Sequence, residues 1–445
     1  MNILFISLGC DKNLSDSEEM LGLLTERGHN IVNSEEEADA IVINTCCFIH
    51  DAKEESVETI LEMAEYKKAG SLKALIVTGC MAQRYKEEII QEIPEVDAVL
   101  GTTSYGDIVK ALDEVLKGKS FQEFRDINEL PAVSASRVLT TGGHFGYLKI
   151  AEGCDKHCTY CIIPSLRGRF RSIPEERLIQ QAEYMASQGV KELILVAQET
   201  TVYGTDIYGK KTLHLLLKKL CGIKGIRWIR VLYCYPEEIY DELIQVMKEE
   251  KKICHYLDLP IQHASDRILK RMGRRTSKEQ LVEIIGKLRR EIPDIILRTT
   301  LITGFPGETE EDHQELMEFV DEMEFDRLGV FTYSAEEGTP AASMDGQIPE
   351  ELKEARRDEL MELQQEISLE KGNERIGQEL LVMIEGKVSG ESAYIGRTYG
   401  DAPNVDGYLF VQTGELLMTG NFAKVRVTGA MEYDLIGELA DEYTE

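Results

Sequence analysis

Three apolar runs near the start of the chain each end on a cysteine: LFISLGC at Cys10, IVINTC at Cys46 and LIVTGC at Cys80. The separations are 36 and 34 residues, close to one strand–helix–strand unit. An amphipathic helical stretch follows each run, so residues 1–118 read as an open parallel α/β sheet. In such a sheet the loops beyond the strands' carboxyl ends lie side by side and form the ligand crevice. Three cysteines far apart in sequence therefore converge. A free cysteine after a strand packs readily as a small hydrophobe, and one such residue would need no other account. Three in register, two of them behind a glycine that lets the chain turn sharply, fit that reading poorly. They fit a site of three thiolates for an iron–sulfur cluster. Cys47 adjoins Cys46, and one of the pair is expected to face the crevice. Cys46 comes sooner after its strand and is the expected ligand, with Cys47 the alternative.

A second triplet, Cys154, Cys158 and Cys161, sits in the stretch YLKIAEGCDKHCTYCIIPSLRGRFR, again at the end of an apolar run. Three thiolates on a four-iron cluster leave one iron without a protein ligand, whereas structural zinc closes on four. A zinc site would have to recruit His157, which adjoins Cys158 and would need an awkward chelate within one turn. Disulfides cannot pair three cysteines internally. A ferredoxin-type carrier would show a fourth cysteine close by with a proline beside it, and here Pro164 follows without that cysteine.

At 445 residues the chain calls for two or three domains. The N-terminus MNILFISLGC opens directly as a strand, without a basic region or a small-residue cleavage site, and no run reaches the length of a membrane span. A cytoplasmic protein with reduced cysteines is expected. Lys and Arg total 50 against 80 Asp and Glu, a net charge of −30. That surface repels a phosphate backbone and suits a basic partner, although acidity also simply maintains solubility.

Residues 119–143 lose the periodicity and carry Pro131, a Ser/Ala stretch and Gly142-Gly143, the composition of a linker. From residue 144 a second alternation begins, with strands expected at 147–151, 193–197, 228–233, 255–259, 295–302 and 328–333 and helices between them. Six such units over 144–375 suit a partial (β/α)6 barrel with functional residues at the strands' carboxyl ends. Cys154, Gln198 and Glu199, Tyr235-Pro236, Gln262-His263 and Gly304–Gly307 all fall there. Cys221, Cys234 and Cys254 lack ligand spacing and are expected in cores. Arg167, Arg169 and Arg171 follow the cysteine loop and suit either a bound carboxylate or a solvated, ion-paired face. The run Lys270 to Arg275 is expected at the surface. Residues 376–445 switch to short strand-like runs between glycine-rich turns, a small antiparallel barrel of about five strands. Its basic residues are Lys387, Arg397, Lys424 and Arg426 against twelve acidic ones, so little non-specific nucleic-acid binding is expected.

The motif Cys154-Asp-Lys-His-Cys158-Thr-Tyr-Cys161 resembles that of the radical S-adenosylmethionine enzymes, with an aromatic before the third cysteine. Together with the three-cysteine α/β domain and the terminal TRAM-like barrel, it makes the whole chain resemble the methylthiotransferases. SLGCDKN, GCDKHCTYCIIPSLRGRFRS, YLDLPIQHAS, TGFPGETEED, EEGT and GRTYGDAPNVDG are similar to the branch that modifies a ribosomal protein. The tRNA-modifying branch, the alternative, usually has GCQMN where this chain has Gly9-Cys10-Asp11-Lys12-Asn13. Two positions depart from the family pattern: Ser15 stands where valine is common, and Glu199 where aspartate is usual.

The resemblance implies two 4Fe–4S clusters, one on Cys154, Cys158 and Cys161 and one on Cys10, Cys46 and Cys80. It implies S-adenosylmethionine chelated to the open iron of the first, with Tyr160, Gln198 and the Gly304 loop near it. A radical would then abstract hydrogen from the β-carbon of an aspartate on small-subunit ribosomal protein S-twelve, and the second cluster would carry the sulfur. No side-chain acid–base pair is required, because the cofactors hold the chemistry. An electron donor such as flavodoxin or ferredoxin is implied, and no membrane.

Overall fold

The computed structural model describes residues 1–131 and 137–444. The first domain is a parallel sheet ordered β2-β1-β3-β4-β5-β6, built from β1 (Asn2–Ser7), β2 (Asn30–Val32), β3 (Ala40–Thr45), β4 (Ala74–Gly79), β5 (Ala98–Leu100) and β6 (Phe121–Glu123). β3 and β4 are apolar and buried along their whole length, as a strand covered on both faces must be. Apolar clusters fill both faces, one around Ile41, Ile43, Leu75 and Val77, the other around Ile3, Val42, Ile76 and Leu100. The sheet runs past the boundary expected at residue 118, because Phe121–Glu123 pairs in parallel with β5. Three residues of polar-flanked sequence carry no periodicity, so this edge strand leaves no signal in the sequence. Residues 132–136 of that expected linker lie outside the described residues.

The second domain is a six-stranded parallel sheet of β7 (Phe145–Lys149), β10 (Glu192–Val196), β11 (Trp228–Val231), β12 (Ile253–Asp258), β13 (Ile296–Thr303) and β14 (Arg327–Thr332), in sequential order. A short hairpin, β8 (Ala151–Glu152) with β9 (Arg171–Ser172), brackets the second cysteine loop. The expected partial (β/α)6 barrel is therefore present. Its large outer core lies between sheet and helices, around Leu195, Leu217, Leu257, Leu316 and Phe319. The concave face carries a separate cluster that includes Phe145, Tyr147, Val196, Trp228 and Tyr256.

The third domain is a closed barrel of β15 (Glu379–Lys387), β16 (Ala393–Arg397), β17 (Leu409–Gln412), β18 (Phe422–Ala430) and β19 (Leu435–Thr444). It stops one mouth of the partial barrel. Phe422 and Met383 join the concave cluster beside the first residues of β7 and β11, and Phe422 meets Trp228 edge to face with centroids 4.8 Å apart. Glu192, the first residue of β10, receives Arg397 and Arg230 at 2.8 Å each. Burial alone would raise the Glu192 carboxyl, but the two guanidiniums hold it below its ordinary value. Arg397 also meets Glu385 at 2.6 Å, and Arg327 meets Asp401 at 2.5 Å. The segment GRTYGDAPNVDG is thus a clamp between barrel and sheet. No helix among the described residues is long and apolar enough to cross a membrane.

Candidate active site

The opposite mouth, at the carboxyl ends of β7 and β10–β14, faces the first domain. Its contact is helix α1 (Asp11–Glu26), which starts directly after Cys10. Lys12, Asn13, Ser15, Asp16, Ser17, Glu18 and Glu19 are all buried, although their pattern reads as the wet side of an amphipathic helix. They are buried against charges of the second domain. Asp16 pairs with Lys149 of β7 and with Arg167, the latter at 2.8 Å. Glu152 closes the ring on Lys149 and Arg167. Two acids and two bases balance one another, which a buried charge network requires. Glu18 meets Arg137, and Tyr105 donates to Glu19 at 2.8 Å.

Arg167 ends the short helix that follows the second triplet and also donates to Asn13 Oδ1. Asn13 Nδ2 donates in turn to the carbonyls of Leu8 at 3.1 Å and Thr45 at 2.9 Å, the backbone just before Cys10 and Cys46. Asn44 ties the same turn down, donating to Asn13 O and Ser17 Oγ at 2.9 Å. One side chain therefore leads from the loop of Cys154, Cys158 and Cys161 to the turns that carry the other triplet. Of the three arginines, Arg167 is buried and ion-paired while Arg169 is exposed.

Cys10, Cys46 and Cys80 stand at the ends of β1, β3 and β4, which are neighbours in the sheet. A Cβ on Gly9 would stand 3.0 Å from Cys46 Sγ, and the Cys80 thiol feels both Cys10 and Arg167. Cys47 is fully buried in the apolar cluster with Ile43, Val77 and Ile89, a cluster that Cys80 also joins. Burial pushes the Cys46 thiol up to about 12 and the Cys161 thiol likewise. Each triplet has a glycine ahead of a cysteine in the left-handed region: Gly9 at φ 88°, Gly79 at φ 95° and Gly153 at φ 77°. A Cβ at Gly79 would lie 2.5 Å from Thr45 O, and one at Gly153 2.1 Å from Arg169 O. Only glycine fits these close approaches.

Among the described residues, neither triplet draws its three sulfurs within 4.8 Å of one another. One tetrahedral ion would need them that close, with metal–sulfur distances of about 2.3 Å; a cluster is wider. His157 is exposed and does not join the second triplet. A donor set of three thiolates without a fourth protein ligand fits a cluster.

Around the second triplet lie buried polar atoms that make no hydrogen bond within the protein: Glu199 Oε2, Glu237 Oε2, Gln262 Oε1 and Arg274 Nε. Lys156 binds Glu238 and approaches Glu199 at 3.6 Å. Burial raises the Glu199 carboxyl to about 7. Tyr235 OH lies 3.8 Å from Cys158 Sγ, and Arg274 stacks on the Tyr235 ring at 4.4 Å. These orphan acceptors and donors suit a zwitterionic ligand such as S-adenosylmethionine. Gln198 Oε1 accepts the Gly153 amide at 2.9 Å and so shapes the cysteine loop. Tyr160 stands edge to face with Phe305, centroids 6.5 Å apart, at the rim. Gly304 is closed off, since a Cβ there would meet Lys353 Cγ at 2.2 Å. Cys234 and Cys254 are buried in cores, as expected, and Cys221 is half-buried against the outer one.

The run Lys270 to Arg275 is not a uniform surface: Lys270 and Arg275 are exposed, but Arg274 is buried and belongs to this site. Sequence reading missed it, along with Asn13, Lys149 and Asp16, whereas Arg167 takes the ion-paired alternative given for it. The available signal for Arg167 was its position six residues after Cys161.

Three family models match the three domains: Uncharacterized protein family UPF0004 over residues 2–101, the Radical SAM superfamily over 148–320 and the TRAM domain over 376–440. Among solved structures, the radical S-adenosylmethionine methyltransferase TsrM from Kitasatospora setae, with cobalamin and a [4Fe-4S] cluster bound, aligns with a TM-score of 0.55 at 13% identity. It covers 76% of this chain and 73% of that one. The radical enzyme OxsB aligns with a TM-score of 0.52 at 14% identity, covering 81% of this chain and 56% of its own. These likenesses carry the fold, and fold and site together define a radical S-adenosylmethionine enzyme. The ribosomal protein uS12 methylthiotransferase RimO of Lachnoclostridium phytofermentans is 66% identical over 437 residues, 98% of this chain and 99% of the relative. That of Pelotomaculum thermopropionicum is 52% identical over 97% of this chain and 98% of its own length. The chain belongs to the RimO family of methylthiotransferases.

Proposed function

We propose that this chain attaches a methylthio group to the β-carbon of an aspartate on ribosomal protein uS12, using two 4Fe–4S clusters. The observation that carries this reading is the pair of cysteine triplets at one mouth, linked through Arg167 and Asn13. The full-length similarity to proteins named as uS12 methylthiotransferases supports the substrate. So does the net charge of −30, which favours a basic ribosomal protein over a nucleic acid.

In this reading Cys154, Cys158 and Cys161 hold one cluster and Cys10, Cys46 and Cys80 the other. When bound, these groups and S-adenosylmethionine would supply one-electron cleavage and a methyl-bearing sulfur. The protein's own work is positioning and exclusion. Glu199, Glu237, Gln262 and Arg274 offer polar atoms free of hydrogen bonds to the amino acid end of S-adenosylmethionine, with Gln198 holding the loop amide and Tyr160 walling the rim. Gly304 gives its loop shape from behind. The buried charges of α1 keep water from its side of the mouth, which a carbon radical demands. Electrons would come from a low-potential donor such as flavodoxin or ferredoxin in the cytoplasm. Glu199, standing where the family pattern has aspartate, reaches one methylene further toward the same ligand.

The test is product mass spectrometry. Reconstituted enzyme, reductant, S-adenosylmethionine and purified uS12 should yield uS12 heavier by one methylthio group in place of one hydrogen, localised to one aspartate. Modification of tRNA with uS12 left untouched would overturn the substrate assignment.

A further inference from the structure

Lys12 stands out among the buried charges at this mouth. It is only 7% exposed, on the first turn of α1 two residues after Cys10. Asp16, Glu18, Lys149, Glu152 and Arg167 all have opposite charges in contact. Lys12 has none: among the described residues no carboxylate oxygen lies within 4.0 Å and no acceptor within 3.5 Å of its ammonium. Its one partner is the ring of Tyr233, with Nζ 3.2 Å from the centroid. A ring face satisfies charge but accepts no strong hydrogen bond, so an ammonium with three donors keeps most of them free. A desolvated, unpaired cation is costly, and a protein of net charge −30 has carboxylates in abundance with which to pair it.

The ring that holds Lys12 is itself held. Tyr233 follows β11 with φ 60°, a strained conformation for a bulky residue. Its amide donates to Asp258 Oδ2 at 3.0 Å, and Asp258 is fixed by Arg298 at 2.9 Å. Its hydroxyl donates to Asp11 Oδ2 at 3.3 Å, so the neighbouring acid is occupied by the tyrosine and not by Lys12. Two residues on, Tyr235 reaches Cys158. The end of β11 thus spans from one triplet to the other, with Lys12 on the side of Cys10, which is exposed to the cleft.

We propose that Lys12 is the receptor for the carboxylate of the substrate aspartate, holding its β-carbon between the two triplets. This rests on the substrate reading given above. A carboxylate completes a buried ammonium with free donors by charge as well as by hydrogen bonds, and the target side chain carries it one bond from the carbon to be modified. Asparagine, which has the same shape and no charge, should be rejected, because it would leave the buried cation unpaired.

The experiment uses reconstituted holoenzyme and measures binding of purified uS12 and of uS12 with the target aspartate changed to asparagine. Wild-type enzyme is expected to bind the aspartate form about tenfold tighter or more. Lys12→Gln should bind the two forms within about twofold, and Lys12→Arg should recover part of the preference. Iron content should be the same in all three proteins. Undiminished preference in Lys12→Gln, or none in wild type, would overturn the proposal. Loss of iron from Lys12→Gln would assign the lysine to the cluster and overturn it as well. If wild-type enzyme binds neither form of uS12, the substrate reading itself has failed, a result distinct from loss of discrimination.

Discussion

Cys154, Cys158 and Cys161 lie within eight consecutive residues of a single loop, whereas Cys10, Cys46 and Cys80 are drawn from the ends of three strands. The first group is positioned by its own loop, with Gly153 turning it and Gln198 holding its amide. The second exists only when β1, β3 and β4 stand in register, and its turns are tied by Asn13 and Asn44 to one another and through Arg167 to the other domain. A local site tolerates damage elsewhere, while an assembled one inherits every fault of the sheet and of the domain contact. The difference can be broken at several points.

The largest effect is expected at Arg167. Changing it to Met leaves Asp16 and Glu152 with Lys149 alone, one negative charge in excess inside the contact, at a cost of about 3–5 kcal/mol. Denaturant unfolding should register that loss, and reconstituted iron should fall mainly at the assembled triplet. Next come the two glycines, whose substitution should separate the sites. Gly79→Ala forces a Cβ against Thr45 O and Gly153→Ala one against Arg169 O, each costing about 3 kcal/mol. The first should deplete one cluster and the second the other, read by iron analysis and electron paramagnetic resonance.

A smaller effect concerns Glu19, on the buried face of α1, whose carboxyl is raised to about 7 by burial despite Lys149 and Arg137. A raised folded-state value means that the carboxyl's proton stabilises the fold. That contribution is complete below the unfolded value near 4.5 and lost as pH rises toward 7. Glu19→Gln, which can still accept from Tyr105, should therefore be neutral at pH near 4 and stabilising by about 2 kcal/mol at pH near 8. Equal melting shifts at both pH values would show that Glu19 does not titrate with folding.

Much of this was legible in the sequence because the apolar strands run straight into their cysteines and the strand–helix alternation has a regular length. The helices at Lys278–Glu291 and Glu310–Met323 begin on Ser277 and Thr309 capping boxes, the local signal their boundaries carry. What was not legible is the face of α1. DKNLSDSEE reads as a solvated stripe, since sequence periodicity reports polarity and not what covers it. The partners of that stripe, Lys149, Glu152 and Arg167, are over a hundred residues away. Arg274 was hidden for the same reason: a basic run looks wet until the tyrosine that one of its members stacks on is known. The choice between Cys46 and Cys47 follows the strand's end alone, since both thiols are buried and Cys80 shares the apolar cluster of Cys47.

The most direct test of the two-cluster account is iron per chain in anaerobically reconstituted protein, wild type against the triple variant Cys10→Ala, Cys46→Ala, Cys80→Ala. About eight irons should fall to about four, with S-adenosylmethionine cleavage retained. A triple variant that keeps the full wild-type iron, or a wild type that never exceeds about four, would contradict it.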